Sequence, residues 1–217
     1  MMTNKRVGAL ITAAGMSTRM GDFKPLLKLG PYSMIRQIVN NFIKADVTDI
    51  FVVTGYKSNE IMESLCDCNI TFVYNEKYEE TQMLDSVKLG LDVIRKRRID
   101  KVLFCPCDVA AFKAETINSL LKSEGLIVVP EYVENDSKDC SCTAADNSAW
   151  KCTATGHPIC IDTTIIPAIL SYEGGEGLRG ALNNTGIKIC KVKVSDEGIL
   201  LDADTKEDYE KMKIISR

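Results

Sequence analysis

"VGALITAAGMSTRMGDFKPLLKLG", residues 7–30, is the stretch on which the fold turns. It opens with a short continuous apolar run, the mark of a strand buried on both faces, and such strands belong to parallel sheets covered by helices. The run stops at Ala13-Ala14-Gly15, where the absence of bulky side chains lets main-chain N–H groups come close to a ligand. Amides in such a turn cradle an anion. Arg19 and Lys24 add two full positive charges, and Gly21 keeps the segment between them open. Any one of these residues alone reads as a plain strand-to-helix turn; together they describe a polyphosphate site. G-x-G-x-x-G and G-x-x-x-x-G-K-[ST] are both absent, which argues against a dinucleotide-binding Rossmann unit and against a P-loop.

Outward from this stretch, strand-like and helix-like segments alternate to the end of the chain, the rhythm of βαβ units. Strands are predicted at 7–12, 49–54, 70–74, 101–105, 126–129, 158–161 and 187–194, and helices at 33–45, 59–65, 82–97, 114–122, 164–171 and 206–214. In the third helix Leu84, Val87, Leu91 and Ile94 recur at the spacing of one buried face. Ser33 and either Asp204 or Thr205 read as N-caps. The expectation is an α/β fold, one domain over 1–217, with a mostly parallel mixed sheet helix-covered on both faces and ligands at the carboxyl ends of its strands. One region lacks periodicity: 131–156 is polar and reads as a long irregular insertion.

The 217 residues carry 27 basic and 30 acidic side chains, and beyond Arg95 to Arg98 no basic stripe appears, so a nucleic-acid partner is not expected. The Lys5-Arg6 pair before an apolar run imitates a signal peptide, but the run is poor in leucine and interrupted by Gly8 and Thr12, which suits a strand. No stretch approaches the ~18 apolar residues of a membrane span, so no membrane partner is expected. Nine cysteines, six of them in C-x-C pairs, lack the C-x2-C spacing of common zinc sites. They read as reduced, mostly buried thiols of a cytoplasmic protein. Cys140, Cys142 and Cys152 share one polar stretch and keep open a metal or redox reading.

Two further places carry chemistry. Asp108 follows an apolar run in "VLFCPCDVAAF", on the same rim as the Gly15 loop, where Mg²⁺ bridging phosphate oxygens suits a carboxylate and a turn or helix cap is the alternative. Asp202 and Asp204 follow another short apolar run; separated carboxylates brought to one rim hold metal, while an N-cap role competes for Asp204. His157 is the single histidine and no G-x-S-x-G elbow exists, so hydrolase triad chemistry is not expected.

With these residues assembled, the chain resembles the MobA/MocA-like nucleotidyltransferases of the molybdenum-cofactor cytidylyl- and guanylyltransferase type. "LITAAGMSTRMGDFKPLLKL" looks like the family's A-x-G-x-S-x-R-M-G-x-x-K loop. "YNEKYEETQMLDSVKLGL" is similar to its N-x6-G-M-x2-S-x3-G-L element, "CPCDV" to its metal aspartate, "GHPICI" to its Gly-His-Pro strand and "LDADTKEDYEKM" to its D-x-D-T-x-x-D close.

The resemblance implies a Rossmann-like domain of the glycosyltransferase-A kind that binds an NTP with Mg²⁺ or Mn²⁺ and transfers its NMP to a phosphate-bearing acceptor, releasing pyrophosphate. By it, the Ala13, Ala14, Gly15, Met16 and Ser17 segment, Arg19 and Lys24 hold the triphosphate, with Arg19, Lys24 and Asp108 catalytic. Asp108, Asp204 and Asp202 hold the metal, and Asn75, Met83 and Ser86 line the base and ribose. His157 and Arg179 serve the acceptor. Ala-Ala-Gly in place of Ala-Gly-Gly leans toward CTP over GTP. Three departures bear on nucleoside and acceptor: Gln82 in place of glycine, Leu178-Arg179 in place of Gly-Asp, and the 131–156 insertion. Molybdopterin, a sugar phosphate and an alditol phosphate all stay open as acceptors, as does a nucleotide-binding module without catalysis.

Overall fold

The structure is a computed structural model that describes residues 5–17, 21–134 and 154–216. Strands β1 (Val7–Ala13), β4 (Asp49–Thr54), β5 (Ile70–Tyr74), β6 (Lys101–Pro106), β7 (Ile127–Tyr132), β8 (Ile159–Asp162) and β9 (Ile189–Val194) form one sheet in the order β5-β4-β1-β6-β8-β7-β9. A small hairpin, β2 (Lys28–Leu29) with β3 (Tyr32–Ser33), stands apart from it.

All pairings in the large sheet are parallel except those of β8, which runs antiparallel to both β6 and β7. Successive side chains along each strand alternate faces, so each face acquires its own core. Ile11, Val52, Leu103 and Val128 point toward α1 (Met34–Lys44), α2 (Ser58–Ser64), α4 (Ala114–Lys122) and α7 (Lys206–Ile215), meeting Ile38, Phe42, Ile61, Ile117 and Met212. Leu10, Val53, Phe104 and Ile127 point the other way, into α3 (Met83–Ile94), α5 (Ile166–Leu170) and α6 (Gly177–Asn184), where Val87, Leu91, Ile169 and Leu182 receive them. Burial on both sides is why these strands read as continuous rather than alternating apolar runs.

The boundaries follow local chemistry. Ser33 caps α1, its Oγ accepting from the Arg36 N–H at 3.4 Å, and Thr205 caps α7, accepting from the Asp208 N–H at 3.2 Å. The predicted helix at 164–171 divides into a 3₁₀ turn, Thr163–Ile165, and the short α5, because Pro167 can stand only in a first turn. The third helix stops at Ile94, before the basic run. Helix α6 and the β2–β3 hairpin were not foreseen: α6 begins in a glycine-rich run and contains Gly180, where a Cβ would overlap the Tyr172 ring. Both ends of the 131–156 stretch pair in the structure, since β7 continues through Tyr132 and Thr155 bridges back to Glu131; residues 135–153 lie outside the described residues. Cys140, Cys142 and Cys152 lie outside the described residues. The expectation of mostly buried thiols holds for Cys105 and Cys160; Cys68, Cys107 and Cys190 are half-buried and Cys66 is exposed.

Candidate active site

From β1 the chain crosses to β4 on one side and to β6 on the other, so the carboxyl end of β1 is a point where the winding reverses. The Gly15 loop starts there. Gly15 and Met16 are exposed, Ser17 takes a left-handed backbone (φ 55°) and Gly21 another (φ 75°). Among the described residues nothing stands within 4 Å of where a Cβ on Gly15 would lie, so their packing does not demand glycine there. The segment then returns through a 3₁₀ turn, Lys24–Leu26, set by Pro25, and the Lys24 N–H donates to Ser17 Oγ at 3.2 Å. Arg19 lies outside the described residues.

Lys24, Asp108 and Asp204 come together from three distant parts of the chain. Lys24 Nζ donates to Asp204 Oδ1 at 2.6 Å and lies 3.6 Å from Asp108 Oδ2. Thr205, not Asp204, caps α7, which leaves the Asp204 carboxylate to face Lys24. Main-chain pairing holds the acids in place: the Ala203 N–H donates to the Asp108 carbonyl at 3.0 Å, and the Cys107 N–H to the Thr12 carbonyl at 3.0 Å. Burial works against the Lys24 charge, but the Asp204 hydrogen bond and the two carboxylates outweigh it and raise the ammonium above its ordinary value. Asp108 is also raised, because burial, aided by Asp204 and Asp202, exceeds the help of Lys24. The two partners differ because the ammonium meets opposite charges while Asp108 meets one cation and two carboxylates. Exposed Asp202 is raised by burial of its carboxyl and by Asp204. Burial lifts the Cys107 thiol far above its usual range, so beside Lys24 and Asp108 it remains neutral.

The other expected site residues are distributed along the same edge and beyond it. Asn75 and Ser86 are buried and hold each other: Asn75 Nδ2 donates to Ser86 Oγ at 3.1 Å and to Thr81 Oγ1 at 2.9 Å, while Oδ1 accepts the Lys77 N–H at 3.0 Å. Their side chains therefore shape the 75–86 loop, and Met83, 54% exposed at the start of α3, is the one of the three open to solvent. Gln82 has φ −95°, an extended conformation open to any residue, so its place in the glycine position brings no backbone strain. His157 reaches the rim because β8 is reversed: Phe104 pairs with Ile159, and the His157 ring packs edge-on against Phe104 with centroids 5.5 Å apart. Burial lowers its pKa to about 4. Its Nδ1 is buried without a partner among the described residues. Arg179 is exposed on α6.

Sequence reasoning missed the aromatic ledge beside the loop. Phe23 and Tyr56 meet edge-on at 5.5 Å, and the Tyr56 N–H donates to the Ala14 carbonyl at 3.2 Å, bracing the loop from the β4 side. The Gly55-Tyr56 pair directly after β4 was the available signal. A cavity of about 840 Å³ between α3 and α5 includes Asn75 and Thr81 in its lining but not Lys24, Asp108 or Asp204. Among the described residues no group of three His, Cys, Asp or Glu side chains is close enough to hold a metal unaided, so any metal at Asp108 and Asp204 would need oxygens from a ligand as well.

Comparison with known proteins agrees with this architecture. The bifunctional protein GlmU of Francisella tularensis subsp. novicida is 30% identical over 134 residues, 59% of this chain and 28% of that protein, so the chain spans under a third of this curated relative's length. A nucleotidyl transferase from Methanothermobacter superposes with a TM-score of 0.78 at 21% identity, covering 99% of this chain and 98% of its own. The 4-diphosphocytidyl-2C-methyl-D-erythritol synthase of Anaerococcus prevotii superposes at 0.70 with 19% identity, covering 97% and 95%. These two likenesses establish the Rossmann-like fold. Residues 9–189 match the MobA-like NTP transferase domain, and the chain belongs to that family.

Proposed function

We propose that the chain is a nucleotidyltransferase that moves an NMP from an NTP, CTP in preference to GTP, to a phosphate-bearing acceptor and releases pyrophosphate. One observation carries this reading: Lys24 sits between Asp108 and Asp204 at the mouth of the Gly15 loop, so cationic and anionic groups that suit a metal-triphosphate share one rim. In this reading the amides of Ala13 to Ser17, with Lys24 and Arg19, bind the triphosphate and orient it for in-line attack by an acceptor oxygen on the α-phosphorus. Pyrophosphate is the leaving group. Such transfer is positioning and charge stabilisation, and no protein nucleophile is needed. Neutral Cys107 is consistent with that.

Asp108 and Asp204, with Asp202, would hold Mg²⁺ or Mn²⁺. The donor set suits such an ion, being hard carboxylate oxygen gathered about the Lys24 ammonium. When bound, such an ion supplies charge neutralisation at phosphate oxygens. Met83 and the 75–86 loop would meet the nucleoside, and His157 and Arg179 the acceptor.

Molybdopterin is the acceptor that the family's name suggests. A sugar or alditol phosphate is the second reading, favoured by the name of the diphosphocytidyl-methylerythritol synthase neighbour. A cytoplasmic setting is supported by the free thiols of the six described cysteines; no helix among the described residues is long and apolar enough to cross a membrane.

The test is a screen of the four NTPs against molybdopterin, sugar phosphates and alditol phosphates, with Mg²⁺ or Mn²⁺, following pyrophosphate. Release with CTP and one acceptor class, lost in Asp108→Asn, is expected. Binding of nucleotide without release for any acceptor would replace the enzyme reading with a sensing module.

A further inference from the structure

The Lys24 ion pairs have a consequence for how the site fills. Its ammonium, with a side chain only 10% exposed, contacts Asp204 at 2.6 Å and Asp108 at 3.6 Å. These are the same three groups that, in the proposed function on which this inference rests, would meet a triphosphate and a divalent cation. A metal at the two carboxylates must displace the ammonium or share them with it. An anionic triphosphate at the ammonium must draw it away from the carboxylates. From these contacts we infer that Lys24, Asp108 and Asp204 form a self-neutralising latch, in which either ligand alone binds against an intact ion pair and each opens the site for the other.

The physical argument is one of competition at short range. In this half-buried setting an ion pair is screened far less than at the surface, so an ammonium already on the carboxylates weakens their hold on another cation. When Lys24 turns to phosphate, the carboxylates lose the Lys24 contact and their hold on an external cation strengthens. The lysine backbone stays fixed throughout, because the Lys24 N–H is held by Ser17 Oγ and Pro25 sets the turn, so only the four-carbon stem needs to swing. Linkage then requires that the metal strengthen triphosphate binding by the same factor as the triphosphate strengthens metal binding.

The latch makes a prediction that a simple phosphate-binding lysine does not: removing one half of the pair should improve binding of the other half's ligand. Mn²⁺ binding to the full chain without nucleotide, followed by electron paramagnetic resonance, should tighten about tenfold in Lys24→Met. Conversely, inorganic tripolyphosphate in the presence of chelator, followed by calorimetry, should bind Asp204→Asn more tightly than the unaltered protein by a comparable factor. Lys24→Arg keeps the cation and should leave Mn²⁺ binding weak. Circular dichroism confirms that each variant is folded, and if Lys24→Met is not, the Asp204→Asn measurement decides. Equal or weaker Mn²⁺ binding by folded Lys24→Met, or equal or weaker tripolyphosphate binding by Asp204→Asn, overturns the latch. If the unaltered protein releases pyrophosphate and these results fail, the latch alone falls. If it binds neither ion and releases none, the functional reading falls with it.

Discussion

The N–H of Ala203 donates to the carbonyl of Asp108 at 3.0 Å, joining by main chain two acid-bearing segments almost a hundred residues apart in sequence. The carboxylates of Asp108 and Asp204 are thus set by backbone geometry before either meets a ligand. Ala203→Pro removes that donor while adding little bulk. It should lower pyrophosphate release by at least about tenfold, since misplacement of a positioned group on this scale is costly. Circular dichroism matching the unaltered protein, together with unchanged turnover, would show that the main-chain bond is dispensable.

Asp108 is held above the ordinary carboxylate pKa by burial and by its acidic neighbours. A raised carboxyl makes its full contribution to stability below its unfolded pKa and loses it as pH rises through the folded value, so at pH 7 the ionised side chain is a liability. Asp108→Asn should therefore raise the melting temperature at pH 7. It should also abolish transfer, by a factor of at least about a hundred. A lower melting temperature at pH 7 would mean that the Lys24 contact outweighs burial.

His157, with its pKa lowered to about 4 by burial, works with the opposite sign. A depressed histidine contributes stability that is present above its unfolded value near 6.5 and is lost as pH falls toward about 4. The shift corresponds to about 3 kcal/mol once both values are passed. Because it is the only histidine, the comparison with His157→Gln is clean. The difference in stability between the two proteins should shrink between pH 6.5 and 4, measured by urea unfolding, and a constant difference would contradict the buried neutral ring.

At Gly156 a Cβ would overlap the Ile199 carbonyl, main chain that cannot rotate away. The His157 N–H also donates to that carbonyl at 3.1 Å. Gly156→Ala should cost about 2 kcal/mol or more, read as a fall in urea midpoint. Gln82→Gly is the contrasting case. With φ −95° no glycine is required, so the change should lower stability by about 0.5 kcal/mol through the unfolded chain. It should not raise turnover. A large gain in activity would show that the glutamine side chain, not the backbone, obstructs the nucleoside.

Most of the strands were legible, because a strand buried on two faces must be continuously apolar and Ile50 to Val53 or Val102 to Cys105 have little other meaning in a folded chain. The turn after β1 was legible too, since the small residues Ala13 to Gly15 end the apolar run and the chain leaves the sheet there. Whether Asp204 caps a helix was not legible. Asp204 and Thr205 are both good caps, and only the packing of α7 gives the role to Thr205. The mutual engagement of the Asn75 and Ser86 side chains was not legible either, because the two stand eleven positions apart in sequence.

The order of apolar runs, small residues and charges determined by itself that this protein would be a layered α/β structure with a small-residue loop at the end of its first strand. Tertiary structure alone decided the reversal of β8, which carries His157 to the functional edge, and the meeting of Lys24 with Asp108 and Asp204. The reason is physical: periodicity and backbone preference act over a few residues, whereas strand direction and the encounter of charges 84 and 180 positions apart depend on how the whole sheet closes around its two cores.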